Sequence, residues 1–231
     1  MKIVLLESLG ISQEKLDELV KPLLLNEHEF AAYPRTSNEA QLIEEAKDAD
    51  VLMLANMPLS GNVIRACQHL KLIDIAFTGV DHVDIAAARE KGITVCNAAG
   101  YSTQAVAELA IGQMISLLRN VPATEQRCRN GGTKDGLVGR QLSGCTVGII
   151  GTGAIGCRVA QLCGAFGSRV IGYAPRPKEN ARQYLQYVSL DELLRTADIV
   201  SLHCPLTAET KGLIGRNELS LMKPNAYLVN M

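Results

Sequence analysis

The chain has 231 residues, 47% of them hydrophobic, with 23 Lys plus Arg against 24 Asp plus Glu and a formal net charge of −1. At roughly 100–200 residues per domain this allows one large domain or two small ones, and the charge balance leaves no global field to attract nucleic acid or an anionic membrane surface. The longest apolar runs, such as 147–150 and 198–202, fall well short of the about 18 residues a membrane span needs, and residues 1–6 lead directly into Glu7 without a signal-peptide cleavage site.

Along the first hundred residues short β-branched runs alternate with amphipathic stretches: 2–6 then 12–20, 51–54 then 60–66, 72–76 then 83–91, and finally 94–96. This alternation predicts βαβ units around a parallel sheet. Ser12 stands where an N-cap belongs, ahead of Leu16, Leu19 and Val20 on one helical face and with Glu14, Asp17 and Glu18 near the positive end of the helix dipole. Residues 101–120 form the longest helical pattern, opening at Ser102 or Thr103. They carry apolar side chains on more than one face, which implies burial between domains or in a subunit contact. Residues 127–136 are rich in Gly and charge without a period, and read as a loop. A second alternation follows, with strands at 146–150, 169–173, 198–202 and 226–230 and helices at 154–166 and 190–196. The fold class expected is α/β, two doubly wound parallel-sheet domains, 1–97 and 98–231.

The seven cysteines (Cys67, Cys96, Cys128, Cys145, Cys157, Cys163, Cys204) are odd in number and contain no Cys-x-x-Cys pair. They read as small buried hydrophobes in a reducing, cytoplasmic compartment, with no metal site. Aromatic residues make up 4% with no Trp, which argues against base-stacking platforms.

Gly151-Thr152-Gly153-Ala154-Ile155-Gly156 is a G-x-G-x-x-G directly after the strand at 146–150 and at the opening of a helix, with a second strand following Gly167. In that context it predicts a dinucleotide site. The first Gly permits the tight turn, the second lets backbone N–H groups approach a pyrophosphate at the helix N-terminus, and the third allows close helix-to-strand packing. A βα turn that merely happens to be glycine-rich is the competing reading, and the strand-turn-helix context outweighs it. Where the second strand should end in an acid that holds the adenosine ribose, this chain has Ala174, followed by Pro175 and Arg176. Without that carboxylate nothing repels a 2′-phosphate, and Arg176, aided by Lys178, offers it a partner, so NADP is favoured at least as much as NAD. The alternative is that Arg176 is a solvated loop cation.

These motifs, in this order, resemble the D-isomer-specific 2-hydroxyacid dehydrogenases, the group that includes phosphoglycerate dehydrogenase and the glyoxylate/hydroxypyruvate reductases. The stretch Phe77-Thr78-Gly79-Val80-Asp81-His82-Val83-Asp84 looks like the family's substrate loop. Val95-Cys96-Asn97 with Ser102-Thr103 and Val106-Ala107-Glu108 resembles its interdomain hinge and helix, and His203-Cys204-Pro205-Leu206-Thr207 with Thr210 resembles the loop after the fourth strand of its cofactor domain. The resemblance covers essentially the whole chain. It implies a flavodoxin-like substrate domain and a Rossmann-like cofactor domain, and hydride transfer between a nicotinamide dinucleotide and a small 2-hydroxy or 2-keto acid. It further implies that the N–H groups of Gly79 and Val80 hold the substrate carboxylate and that Thr78 and Thr103 border the cofactor. Ala154 and Ile155 would face the pyrophosphate, and Cys204 and Pro205 would line the adenosine half.

The family's Arg, Glu and His catalytic residues find no counterpart here: where the pattern V-N-x-A-R-G is expected, the sequence reads Val229-Asn230-Met231 and stops. The resemblance therefore implies a C-terminally truncated chain whose substrate domain is incomplete, whose cofactor domain lacks its last strands, and which is inactive alone. Among the histidines, His203 reads as structural. His82 is the better in-chain acid/base candidate, with its ring expected toward solvent or toward Asp81 and Asp84, yet nothing places it near a substrate. Glu108 is expected to tie the long helix to adjacent loops. The alternative function is a non-catalytic dinucleotide-binding regulatory or interaction protein. Either function is compatible with a homodimer formed through the 101–120 helix.

Overall fold

The computed structural model describes all of residues 1–231. The chain divides into two compact units, Met1–Tyr101 and Ser102–Met231. In the first unit the elements run β1 (Lys2–Leu5), α1 (Gln13–Leu25), β2 (Glu29–Ala32), α2 (Glu39–Ala46), β3 (Val51–Leu54), α3 (Gly61–Ala66), β4 (Leu72–Ile75), α4 (Ile85–Glu90) and β5 (Thr94–Asn97). They build one parallel sheet of order β2-β1-β3-β4-β5, the flavodoxin-like arrangement. Its core is aliphatic, with Val4, Leu6, Leu52, Leu54, Ile73 and Ile75 all but excluded from solvent. Ser12 caps α1 as expected, its side chain accepting the Lys15 N–H.

The second unit opens with α5 (Thr103–Leu118) and α6 (Val121–Arg129). It continues through β6 (Thr146–Ile150), α7 (Ala154–Ala165), β7 (Arg169–Tyr173), β8 (Gln186–Tyr187), α8 (Leu190–Thr196), β9 (Ile199–Leu202), α9 (Arg216–Leu221) and β10 (Tyr227–Asn230). Its parallel sheet has the order β10-β9-β6-β7-β8. Two cores cover the two faces of the sheet. One packs Val147 and Ile149 with Met114, Val159 and Cys163 from α5 and α7; the other packs Ile150, Ile171 and Val200 with Leu193 and Leu194 from α8. Gly148 lets α8 approach: a Cβ there would lie 2.5 Å from Leu193 Cδ2.

Several elements were not legible in the sequence. β2 and β8 are edge strands bonded on one side only, and neither is fully buried, so neither carries a long apolar run. The exposed α9 buries no residue, so no apolar period marks it, whereas α2 is amphipathic, with Leu42 and Ala46 buried, but spans only eight residues. Residues 127–129, read as loop, are the last turn of α6. That helix buries no residue, so no apolar period betrays it, although Pro122 marks its first turn. The cysteine reading needs correcting as well: all seven are free, but only Cys67, Cys145 and Cys163 are buried, whereas Cys96 and Cys128 are exposed. The two apolar faces of α5 separate cleanly. Ala107, Ala110, Ile111, Met114 and Leu118 are buried, whereas Leu109 and Leu117 remain 54% and 37% exposed. No helix is long and apolar enough to cross a membrane.

Candidate functional site

The three glycines of the β6–α7 turn have three different reasons to be glycine. Gly151 holds φ at +94°, in the left-handed region, and a Cβ there would stand 2.5 Å from the backbone N of Cys204, so the turn rests directly against the chain leaving β9. Gly156 packs its Cα against the turn itself, where an added Cβ would fall 2.0 Å from the Gly151 carbonyl oxygen. Gly153 differs from both, because a Cβ there would meet nothing within 4 Å. Its missing side chain leaves open space in front of the α7 N-terminus. Gly153 is also the N-cap and supplies no capping side chain, so the first N–H groups of a 12-residue helix, including those of Ala154 and Ile155, face that space unsatisfied. Unfilled donors plus the positive end of the dipole form an anion cradle of the kind that binds phosphate groups.

Around the cradle, His203 leaves β9 with its N–H donated to Ile150 O at 2.7 Å, which sets Cys204 beside Gly151. The His203 Nε2 lies 2.8 Å from Ser201 Oγ, and burial pushes its imidazole down to about 4, so the ring is neutral near pH 7. The loop beyond is shaped by Thr210, whose hydroxyl accepts the Thr207 N–H at 2.8 Å and donates to Pro205 O at 2.5 Å. Cys204 is half-buried and Pro205 exposed along this rim.

Past β7 the chain reads Ala174-Pro175-Arg176-Pro177-Lys178. Ala174 and Arg176 each precede a proline, which biases both toward extended backbone and restricts the loop before any ligand arrives. Arg176 is exposed and pairs with no acid of this chain. Two residues near the cradle escaped the sequence reading. Thr152, only 3% exposed, places Oγ1 2.7 Å from the hydroxyl of Tyr187, and that hydroxyl accepts the Lys178 N–H at 3.0 Å. Tyr187 sits on the two-residue β8, and no local motif announces it.

In the first unit the loop after β4 carries Thr78, Gly79 and Val80, all half-buried, at the carboxyl end of the parallel strands where ligands of open α/β sheets bind. The Thr78 carbonyl accepts Asn97 Nδ2 at 2.7 Å. Leu59 N–H donates to His82 O and Asp84 N–H to Leu59 O, lacing this loop to the one after β3. The N–H groups of Gly79 and Val80 donate to no backbone acceptor, so two adjacent donors remain available. The neighbouring loop is held by Glu7, 4% exposed, whose Oε1 accepts the N–H groups of Ala55, Asn56 and Met57 at 2.7–2.8 Å while Oε2 meets Arg35 at 3.1 Å. A single acidic residue at a strand end gives no sequence signal for such a role.

Two expectations fail here. His82, a half-buried residue, makes no hydrogen bond to Asp81 or Asp84, and its Nε2 is buried without a partner. Glu108 is exposed and accepts from Gln104 one turn earlier on α5 rather than reaching a loop. No group of three or more His, Cys, Asp or Glu side chains is disposed to hold a metal ion.

Comparison with known proteins agrees with this geometry. Residues 111–231 match the family model "D-isomer specific 2-hydroxyacid dehydrogenase, NAD binding domain". The chain is 43% identical over 195 residues to a D-3-phosphoglycerate dehydrogenase of Methanocaldococcus jannaschii, covering 82% of this chain and 37% of that protein. It is 35% identical over 219 residues to a hydroxypyruvate reductase of Thermotoga maritima, covering 94% of this chain and 71% of that one. A solved structure of an acyclic imino acid reductase in complex with NADPH and D-Arg superposes with a TM-score of 0.88 at 28% identity, over 100% of this chain and 74% of that one. The chain thus spans from about a third to three quarters of the relatives it matches. With its glycine turn, its two parallel sheets and these matches, it belongs to the D-isomer-specific 2-hydroxyacid dehydrogenase family.

Proposed function

We propose that the chain is the dinucleotide-binding and carboxylate-binding part of a 2-hydroxyacid dehydrogenase or 2-ketoacid reductase, with residues 1–97 serving the substrate and 98–231 the cofactor. The observation that carries this reading is the uncapped α7 N-terminus facing the open space left by Gly153. When bound, a nicotinamide ring supplies or accepts the hydride exchanged with C2 of the acid. The chain's own groups bind and orient. Gly151, Gly153, Ala154, Ile155 and Gly156 form the pyrophosphate cradle, Cys204 and Pro205 the adenosine rim, Thr78 lies near the nicotinamide end, and Thr103 also serves the cofactor. Gly79 and Val80 donate to the substrate carboxylate.

Arg176 meets the 2′-phosphate of NADP, so NADPH binds no more weakly than NADH. Its lack of an acidic partner and its place between two prolines support this, as does the NADPH complex of the imino acid reductase. Neither histidine that lies near a motif stands ready as the acid/base. His203 is neutral and bonded to Ser201, and His82 Nε2 is buried. The 231-residue polypeptide accordingly binds without appreciable turnover. Its seven unpaired thiols suit a cytoplasmic setting, and the exposed Leu109 and Leu117 of α5 support a homodimer through the 101–120 helix.

Calorimetric titration of the chain and of Arg176→Ala with NADPH and NADH tests the cofactor reading. The expected result is binding of both, with the substitution weakening NADPH about tenfold, or about 1.4 kcal/mol. Absence of binding by either nucleotide refutes the proposal, and a tenfold preference for NADH refutes the role of Arg176. Assays of NADPH oxidation with glyoxylate, hydroxypyruvate and 3-phosphohydroxypyruvate are expected to show no turnover.

A further inference from the structure

The loop that presents Arg176 has few ties to the rest of its unit. Pro175 and Pro177 have no N–H, and of the three N–H groups in residues 174–178 only that of Lys178 finds a protein acceptor, the hydroxyl of Tyr187. That hydroxyl is in turn 2.7 Å from Oγ1 of Thr152, the residue between the first two glycines of the cradle. The phenol oxygen accepts from Lys178 and shares a second hydrogen bond with Thr152 Oγ1, so one hydroxyl links Lys178, Tyr187 and Thr152.

The ring carrying the hydroxyl is itself held. Tyr187 pairs with Gly172 in the sheet, and the Arg182 guanidinium lies 5.4 Å from the ring centroid while its Nε donates to Glu179 Oε2 at 2.9 Å. Thr152 belongs to the pyrophosphate end of the site and Lys178 to the ribose end, and 35 residues separate Thr152 from Tyr187. One hydroxyl spans the two.

We infer that Tyr187 is a positioning residue that fixes the Arg176 loop in register with the glycine turn, and thereby sets the affinity for a 2′-phosphorylated dinucleotide. This rests on the cofactor reading above and adds to it. A ligand anchored at both ends depends on the register, whereas one anchored only through its pyrophosphate does not. The role belongs to the hydroxyl and not to the ring, so variants that keep shape and remove one oxygen isolate it.

The test is titration of the 231-residue chain with NADPH and NADH, comparing the parent with Tyr187→Phe, Thr152→Val, Thr152→Ser and the Tyr187→Phe/Thr152→Val double variant, with a thermal midpoint for each. Breaking this hydrogen-bonded link should weaken NADPH about 5- to 10-fold in Tyr187→Phe and in Thr152→Val, with NADH changed less than about twofold. Thr152→Ser, which restores the hydroxyl, should return NADPH affinity to near the parent value. The double variant should lose no more than Tyr187→Phe alone, because both substitutions cut the same chain.

Equal losses for the two nucleotides, or additive losses in the double variant, would overturn the inference while leaving the cofactor reading intact. If Tyr187→Phe does not fold, the contrast between Thr152→Val and Thr152→Ser decides, and no difference between them overturns it. A parent that binds neither nucleotide removes both the reading and the inference.

Discussion

Three glycines of one turn should answer differently to a single methyl group. At Gly153 an added Cβ meets no protein atom within 4 Å, so Gly153→Ala is expected to unfold in urea with the parent's midpoint yet to lose NADPH affinity tenfold or more, because the methyl occupies cofactor space. At Gly156 the same methyl would lie 2.0 Å from a backbone oxygen, and Gly156→Ala should cost about 1–3 kcal/mol of stability through overpacking. Urea unfolding beside nucleotide titration separates the two, and equal stability losses would contradict the assignment of Gly153 to the ligand. The glycines could be read from sequence because the motif lies in six contiguous residues.

The state of His203 could not be read in the same way, since its pKa depends on what is packed around it. In the folded protein it titrates at about 4, against about 6.5 for an exposed imidazole. Between those values the unfolded chain binds the extra proton, so stability rises with pH through this window and is lost as pH falls toward 4, by up to about 3 kcal/mol. In His203→Gln that part of the slope should vanish from urea midpoints measured between pH 4 and 6.5, and a slope unchanged by the substitution would count against burial as the cause.

At the scale of elements, α5 is the helix whose sequence promised two buried faces and whose structure buries one. The stripe through Ala107, Ala110, Ile111, Met114 and Leu118 packs into the core of its unit, while Leu109 and Leu117 stay exposed among Gln104, Glu108 and Gln113. If a second copy covers them, Leu109→Lys/Leu117→Lys should shift the chain from dimer to monomer in sedimentation velocity and leave its far-ultraviolet circular dichroism unchanged, because neither side chain supports the core. A parent chain that sediments as a monomer at micromolar concentration would remove the homodimer from the proposal. Helical period identified α5 as amphipathic on two sides. It could not say which side stays within the unit, because that depends on where α7 packs. Edge elements show the complementary limit: β2 and β8 are paired on one side, so burial imposes little pattern on their residues.

At the scale of the molecule, each unit has its own sheet and its own aliphatic core, so calorimetry should resolve two unfolding transitions. NADPH at 100 times its Kd contributes about 2.7 kcal/mol to whichever unit holds it, which for a unit of this size raises the midpoint by roughly 10 °C. Only the transition of Ser102–Met231 is expected to move strongly, and an upward shift confined to the other transition would misplace the cofactor.

What the sequence determined by itself is whatever a contiguous stretch must satisfy. The central strands are apolar because they are covered on both faces, the caps and glycines occupy fixed offsets, and the βα alternation follows from parallel pairing. Tertiary structure alone decided the rest: the buried Nε2 of His82, the exposure of Cys96 and Cys128, the three N–H groups gathered by Glu7, and the hydroxyl of Tyr187 between Thr152 and Lys178. Each of these depends on which distant segments the fold brings together, and a hydrogen bond between residues 35 positions apart leaves no mark on the residues between them.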